Sequence, residues 1–335
     1  KSMSKSFVHL HAHTEYSMLD GAAKINDYLD RVKELNQPGA AITDHGNLYG
    51  ALEFYHSALK KKLIPIIGYE AYVINDSRFD RPDRENNKRY HLTLLAENTV
   101  GYWNLVKMAS KAFTEGYYYK PRVDYELLKD HSEGIIALSG CLGGEISQFL
   151  APDGSVEEGN QEGERSFSKA LEKARFYQSI FGENNFYIEL HNHGIAQQKI
   201  ILPDLLKISE EIGAPLVATN DSHYVNQDDA SAHDALLCVQ TNATLDDNTR
   251  FKFDGSGYYV KSSEEMRKLF PEEKFPKACD NTVEIAERIE YNFSSPKYYL
   301  PDFPVPEKNK TIEEYLNEKV YEGANEVYSD ISKEI

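Results

Sequence analysis

From residue 6 to residue 241 the chain alternates between short β-rich apolar runs and segments with helical periodicity. No other feature of the sequence restricts its fold as much. The spacing predicts strands over 6–13, 39–45, 63–74, 90–97, 134–141, 185–191 and 215–221. Helices are expected over 24–36, where Ile25, Leu29 and Val32 share one face, and over 50–62, 100–112, 164–181, 195–212 and 228–241. Seven strands with helices between most of them imply a parallel α/β sheet with right-handed crossovers. Either a closed barrel or an open doubly wound sheet satisfies the pattern.

After residue 241 the alternation stops. A helix is expected over 274–289, then the proline-rich "LPDFPVPEKNK" at 300–310, then a helix over 311–328. The proline-rich piece reads as a domain boundary, giving a barrel domain over 4–290 and a linker with the start of a further region over 291–335. A chain that stops so soon after such a boundary is expected to be a fragment of something longer. Lys1 and Ser2 ahead of Met3 read as an expression remnant. Residues 75–89 ("NDSRFDRPDRENNKR") lack an apolar face and are expected to form an exposed, mobile loop.

The candidate ligands decide between the two architectures. "HLHAH" closes the first strand, "ITDHG" the second, "IIGYE" the third, "ALSGC" the fifth, "ELHNH" the sixth and "ATNDSH" the seventh. In parallel α/β folds the C-terminal strand ends lie on one face, and barrels build their sites there. A ring gathers all of these ends around one centre, so the recurrence favours a barrel. On a strand, His11 and His13 share a face and can grip one ion, and His9 falls on the same face by alternation. Imidazole, carboxylate and one thiolate are ligand types of borderline divalent metals, and there are more of them than one tetrahedral ion needs. A cluster of two or three divalent ions (Zn, Mn or Fe) fits better. Such clusters hydrolyse phosphoesters through a metal-bound hydroxide, so no side-chain nucleophile is expected. His91 begins its strand rather than ending it, and the strand-end rule does not decide whether it is a ligand.

Composition bounds the partners. Thirty-seven basic against 54 acidic residues leave a net charge of −17, which argues against a broad phosphate-neutralising surface. A local site whose positive charge comes from metal ions is compatible with it. Three widely spaced cysteines, Cys141, Cys238 and Cys279, do not form a disulfide framework. With no signal peptide and no long apolar run, a cytoplasmic protein without a membrane partner is expected.

Taken together, "HLHAHTEYSMLDGA", "TDHGNLYG", "PIIGYEAY", "YHLTLLAEN", "LSGCLGGEI" and "TNDSHY" resemble the PHP (polymerase and histidinol phosphatase) domain. "FKFDGSGYYVKSSEEM" and "ACDNTVEIAERI" narrow the resemblance to the PHP domains at the N-terminus of bacterial replicative DNA polymerases. The resemblance runs from about Phe7 to the end of the chain. It implies a distorted (β/α)7 barrel with a C-terminal helical extension leading towards the polymerase palm. It also implies nine metal ligands: His11, His13, Asp20, His45, Glu70, His91, Cys141, Asp221 and His223. By analogy His11, His13, Glu70 and Asp221 hold one ion. Glu70, His91 and Cys141 hold a second, and Asp20, His45 and His223 a third.

The full ligand set implies a metal-dependent 3′–5′ exonuclease that proofreads the primer end. The alternative is a metal-binding scaffold that braces the polymerase and docks a separate exonuclease subunit. A free phosphatase of the histidinol phosphatase kind is a third reading, against which the C-terminal extension argues. Implied partners are the DNA primer 3′ end, the rest of the polymerase chain (palm, thumb and fingers), a separate exonuclease subunit and a sliding clamp. His9 is expected to hydrogen-bond inside the barrel or to support a ligand. His191 and His193 are expected to line the rim. Tyr119, Lys120 and Arg122 in "YYYKPR", with His193, are candidate substrate contacts, and a packed tyrosine cluster is the competing reading of that run.

Overall fold

The structure, a computed structural model, describes residues 6–18, 20–83, 87–151, 165–293 and 300–328. It divides into two compact units, residues 1–292 and 293–335. The first carries strands β1 (Gly39–Ile42), β2 (Ile64–Ile74), β3 (Tyr90–Ala96), β4 (Arg122–Asp124), β5 (Ile135–Leu138), β6 (Phe186–Leu190) and β7 (Leu216–Ala218). The sheet order is β1-β2-β3-β5-β6-β7, with β4 paired to β2 off this path.

The first predicted strand is not a regular one. Residues 7–13 join the sheet only through isolated bridges, His9 to Ala40 and Ala12 to Ser222. Those bridges lie at opposite edges of the sheet. Ala41 N donates to His9 O at 2.8 Å, and His13 N donates to Ser222 O at 2.7 Å. The segment therefore ties β1 to the residues following β7 and closes a distorted barrel of the kind the resemblance implies. An open sheet would leave two unpaired edges.

The all-parallel expectation fails at one strand. β3 runs antiparallel to both β2 and β5, whereas β1–β2, β5–β6 and β6–β7 are parallel. Among the described residues between β2 and β3 there is no helical crossover, and a connection without one returns the chain in the opposite direction. Strand β4 was not expected at all; three residues are too short to carry a readable alternation.

Outside the barrel, α1 (Ile25–Glu34), α2 (Ala51–Lys60), α3 (Thr99–Thr114), α6 (Phe167–Phe181), α7 (Ala196–Ile212) and α8 (Ala230–Thr241) follow the predicted helices. The start of the predicted 164–181 helix lies outside the described residues. Short α4 (Tyr125–Asp130), α5 (Glu145–Leu150) and α9 (Ser263–Leu269) were not anticipated, and the 274–289 helix forms only as α10 (Asp280–Arg288).

Inside the barrel, each stave gives to an apolar layer: Val8, Leu10, Ala41, Ile66, Leu95, Ile136, Leu138, Tyr187 and Val217 pack together with Val283, Ile285 and Ala286. The last three come from α10, which plugs this end. The loop at 75–83 is not free. The Arg78 guanidinium bonds Glu115 at 2.7 Å and Asp124 and Glu126 at 3.0 Å, and Arg78 is buried. The acids of the loop hid Arg78, a buried cation that anchors it; residues 84–86 are outside the described set.

In the second unit, α11 (Ile312–Val327) starts with a reciprocal cap between Thr311 and Glu314. Phe303 stacks on Tyr315 at 5.8 Å. Among the described residues, no helix is long and apolar enough to cross a membrane.

Candidate metal centre

Strand alternation carries the chain from the apolar layer to a polar one. Two residues beyond Ala41 is Thr43 and two more is His45; Ile66 leads through Gly68 to Glu70, and Val217 through Thr219 to Asp221. On β3 the same climb runs backwards, from Leu95 through Thr93 to His91, because that strand is antiparallel. His91 thus reaches the same rim as residues at the ends of the other strands, which answers the question its position in the sequence raised.

Residues 7–13 break the alternation with a bend at His11. Val8 and Leu10 face the interior, and so, after the bend, do His11 and His13. His9 turns the other way, with its Nε2 2.9 Å from Lys261 O, and burial lowers its pKa to about 4. The expectation that His9 shares a face with His11 is corrected by that bend.

All nine expected ligands converge. His11 Nε2 lies 3.3 Å from Glu70 Oε1 and 3.4 Å from Asp221 Oδ1. His13 Nε2 is 3.1 Å from Asp221 Oδ1 and 3.9 Å from Glu70 Oε2. His45 is held between Asp20 at 3.1 Å and Glu70 at 2.6 Å. His91 Nδ1 is 3.0 Å from Glu70 Oε1 and 3.5 Å from Cys141 Sγ. His13, His45 and His223 each bring a ring nitrogen within 4.8 Å of the others. Glu70, fully buried on β2, is the hub.

Cys141 reaches His91 because Gly140 has φ +87°, and a Cβ there would sit 2.4 Å from His91 O.

The donor atoms fit a set of divalent cations. His11 Nε2, His13 Nε2, His45 Nδ1, His223 Nε2, Asp20 Oδ1, Glu70 Oε2 and Asp221 Oδ1 are buried and have no hydrogen-bond partner outside the cluster. Buried polar atoms are normally paired, and these point at one another. Their protonation is correspondingly skewed. Burial opposes charge on His11, but Asp221 and Glu189 outweigh it and hold the imidazole well above its usual range. Burial also opposes charge on His45, yet Asp20 and Glu70 raise it to about 10. Against their own burial, Glu70 is pulled well down by His91 and His45, and Asp20 to about 2 by His45. Burial, with the neighbouring His13 and His45 adding to it, takes His223 down to about 3 against Asp221 and Asp20. Burial, reinforced by Glu70 and Asp221, pushes the Cys141 thiol up against the pull of His91. Metal cations would replace the imidazole protons that now balance the carboxylates.

A surrounding layer that the sequence did not reveal fixes the ring orientations. Carboxylates only accept, so His11 donates its Nδ1–H to Glu189 Oε1 at 2.7 Å. Glu189 also accepts from Gly140 N at 2.9 Å and Thr219 Oγ1 at 2.6 Å. His13 Nδ1 is 2.9 Å from Ser17 Oγ, whose own hydroxyl donates to Asp44 Oδ1 at 2.7 Å. His223 Nδ1 bonds Asp221 O at 2.9 Å. In all three rings Nδ1 is engaged, which leaves Nε2 for the cavity. His233 on α8 bonds Asp20 O at 2.7 Å. Only Glu189 carried a hint in the sequence, two residues before His191 on a strand whose next same-face position is the rim.

The remaining candidates separate. A cavity of about 760 Å³ opens over Asp20, His45, Glu70, His91, Cys141, Asp221 and His223, and Tyr119, Lys120, His191 and His193 line it. His191 Nε2 is occupied by Glu189 at 3.0 Å and Thr219 at 2.7 Å. His193 is stacked on Tyr258 at 4.0 Å with both ring nitrogens bonded, to Gln198 and to Asn220 O. Arg122 is not at the cavity: it is buried, donating to Gly116 O, Arg78 O and Asp80 O. Its expected substrate contact is corrected, because its guanidinium ties the 75–83 loop to the barrel. The tyrosine run is split, with Tyr117 and Tyr119 exposed and Tyr118 packed beneath Arg81 and Arg122.

Comparison with known proteins identifies a family and relatives of this chain. A model of the PHP domain matches residues 9–193. DNA polymerase III subunit alpha of Borreliella burgdorferi is 41% identical over 336 residues, covering 100% of this chain and 28% of that protein. The Thermus aquaticus subunit is 45% identical over 97% of this chain and 26% of that protein. The Deinococcus radiodurans subunit is 44% identical over 97% of this chain and 24% of that protein. The chain spans about a quarter of the length of these relatives.

Proposed function

This chain belongs to the PHP domain family, and on that premise we propose that it is a metal-dependent 3′–5′ exonuclease domain of a bacterial DNA polymerase III alpha subunit. The observation that carries the reading is the convergence of nine metal-type side chains at the floor of one open cavity, with seven buried donor atoms that have no hydrogen-bond partner outside the cluster. A scaffold whose only task is to brace a polymerase has no need of an intact donor set beneath an open cleft.

His11, His13, Glu70 and Asp221 would hold one cation, Glu70, His91 and Cys141 a second, and Asp20, His45 and His223 a third. Bound there, divalent cations supply Lewis-acid activation of water and neutralise phosphate charge. Hydrolysis joins a water oxygen to phosphorus and breaks the P–O3′ bond. The terminal nucleotide leaves as its 5′-monophosphate, and the shortened strand keeps a 3′ hydroxyl. Asp20, His45 and Asp221 have side chains 15%, 17% and 14% exposed and face the open cavity. They stand where the scissile phosphate would enter, while Glu70 and His11 close the floor behind it. Polymerase palm, thumb and fingers, an exonuclease subunit and a sliding clamp belong to this reading as partners.

The test is a labelled primer with a mismatched 3′ end, incubated with the purified protein and Mn²⁺ or Zn²⁺. Stepwise shortening that Asp20→Asn abolishes is expected. Shortening that survives Asp20→Asn, or none at all, rejects the assignment in favour of the scaffold.

A further inference from the structure

The cavity over the metal-type residues has a second layer that none of the ligands accounts for. Its rim carries two exposed rings, Tyr119 and Phe251, at 62% and 38% exposure. Arg89, Lys120 and Lys252 line the same cavity. Three cations together are unexpected in a chain of net charge −17. Tyr119 is also one of the few non-glycine residues with positive φ, +61°. Its neighbours hold it there, for Tyr118 and Lys120 bridge across it through Tyr118 N to Lys120 O at 3.0 Å. The Tyr119 ring meets Tyr118 edge-on at 4.7 Å but stays largely exposed, so burial returns little for the costly backbone conformation.

The two sides of the rim connect to the floor. Lys120 Nζ bonds Tyr72 OH at 3.2 Å, and Tyr72 stacks on His45 at 6.1 Å. On the other side Phe251 packs edge-on to Phe253 at 5.8 Å, and Phe253 packs edge-on to His223 at 4.8 Å. Aromatic rings with interspersed cations, over a centre suited to a phosphodiester, have the chemistry of a site for unpaired polynucleotide. Bases stack on the rings and phosphates meet the cations. A duplex end would keep its bases stacked on one another and leave the rings unused.

Resting on the exonuclease reading, we propose that this rim is a subsite for single-stranded nucleic acid. In it Tyr119 and Phe251 stack the terminal unpaired bases, and Lys120 and Lys252 neutralise the phosphates entering the cleft. The subsite selects frayed ends, because a mismatched terminus reaches the rings at little unpairing cost and a matched one does not.

The experiment measures binding with chelator present, so that no hydrolysis contributes. The probes are a labelled short oligothymidylate, an abasic oligonucleotide of the same length and a blunt hairpin duplex. Wild-type protein is expected to bind oligothymidylate about tenfold more tightly than either of the others. Tyr119→Ala and Phe251→Ala should erase the preference over the abasic strand, whereas Lys252→Glu should weaken both single strands alike. Phe251→Trp should retain the preference, which separates loss of stacking from loss of fold. Equal binding of thymidylate and abasic strands by the wild-type protein overturns the proposal, as does a preference that survives both alanine variants. Failure of the primer-shortening assay alongside an intact base preference would reject the exonuclease reading and leave the subsite standing.

Discussion

Glu189 Oε1 accepts the Nδ1–H of His11 at 2.7 Å, and the same carboxylate accepts from the backbone N–H of Gly140, the residue before Cys141. One buried side chain therefore sets the orientation of ligand candidates on two walls of the barrel. It is tied to His191 as well, at 3.0 Å.

Removing the charge at position 189 should weaken metal binding without removing a ligand. Glu189→Gln can present its amide NH₂ to His11 and so favour the wrong tautomer. A loss of about tenfold to a hundredfold in affinity for Mn²⁺ or Zn²⁺ is expected, read by calorimetric titration. An unchanged affinity would show that Glu189 does not orient His11 for a cation.

Asp44 acts on His13 through Ser17. Its carboxylate accepts from Thr14 N at 2.7 Å, Thr14 Oγ1 at 2.8 Å and Ser17 Oγ at 2.7 Å, all buried. Asp44→Ala strands these donors and should cost about 3 kcal/mol in urea unfolding. Ser17→Ala breaks the relay and also the bond from His45 N to Ser17 Oγ at 3.1 Å, leaves both Thr14 bonds to Asp44 intact, and should cost about 1–2 kcal/mol while lowering metal affinity. Equal stability losses in the two variants would count against the relay.

Cations that bind the folded centre stabilise it by mass action. At a free concentration of a hundred times Kd the gain is about 2.7 kcal/mol. Adding chelator to the metal-loaded protein should therefore lower Tm, and restoring Mn²⁺ or Zn²⁺ should raise it again. A melting curve indifferent to chelator would mean that the donor set holds no cation.

Lys261 offers a pH signature away from the centre. It is buried, donating to Asn220 Oδ1 at 3.0 Å and to Gly257 O, and burial lowers its pKa to about 8. Between about 8 and the unfolded value the unfolded chain binds more protons at this position than the native one. Its contribution to stability therefore rises with pH across that window. Below it the buried charge costs about 3 kcal/mol relative to an unperturbed lysine. The stability difference between wild type and Lys261→Met should shift in favour of wild type from pH 8 to pH 10.5. A difference constant over that range would place the ammonium in water.

How much of this was readable in advance varies with the distance between interacting residues. The staves at Gly39–Ile42, Ile135–Leu138 and Leu216–Ala218 are short apolar runs bounded by turns, and local composition is enough to mark them. His45 and Asp221 lie three residues beyond β1 and β7, where the strand-end rule looks for ligands, whereas Glu70 lies inside β2, four residues short of its end. Glu189 escaped because a carboxylate at mid-strand looks the same whether it faces solvent or His11. Arg122 was misassigned because "YYYKPR" is equally basic whether its arginine points into the cleft or inward to Arg78 O.

The sequence by itself determined the number of barrel staves, the identities of the candidate ligands and their rise from an apolar layer to a polar rim. These depend on a two-residue period and on position along a strand, both of which are local. Tertiary structure alone decided the direction of β3, which brings His91 to the rim, and the bend at His11, which sends His9 to Lys261 instead of the centre. It also decided that Glu189 on β6 would meet His11, 178 residues away in the chain. Each of these depends on pairing between distant segments, whose registers are set by closure of the whole barrel rather than by the residues that meet there.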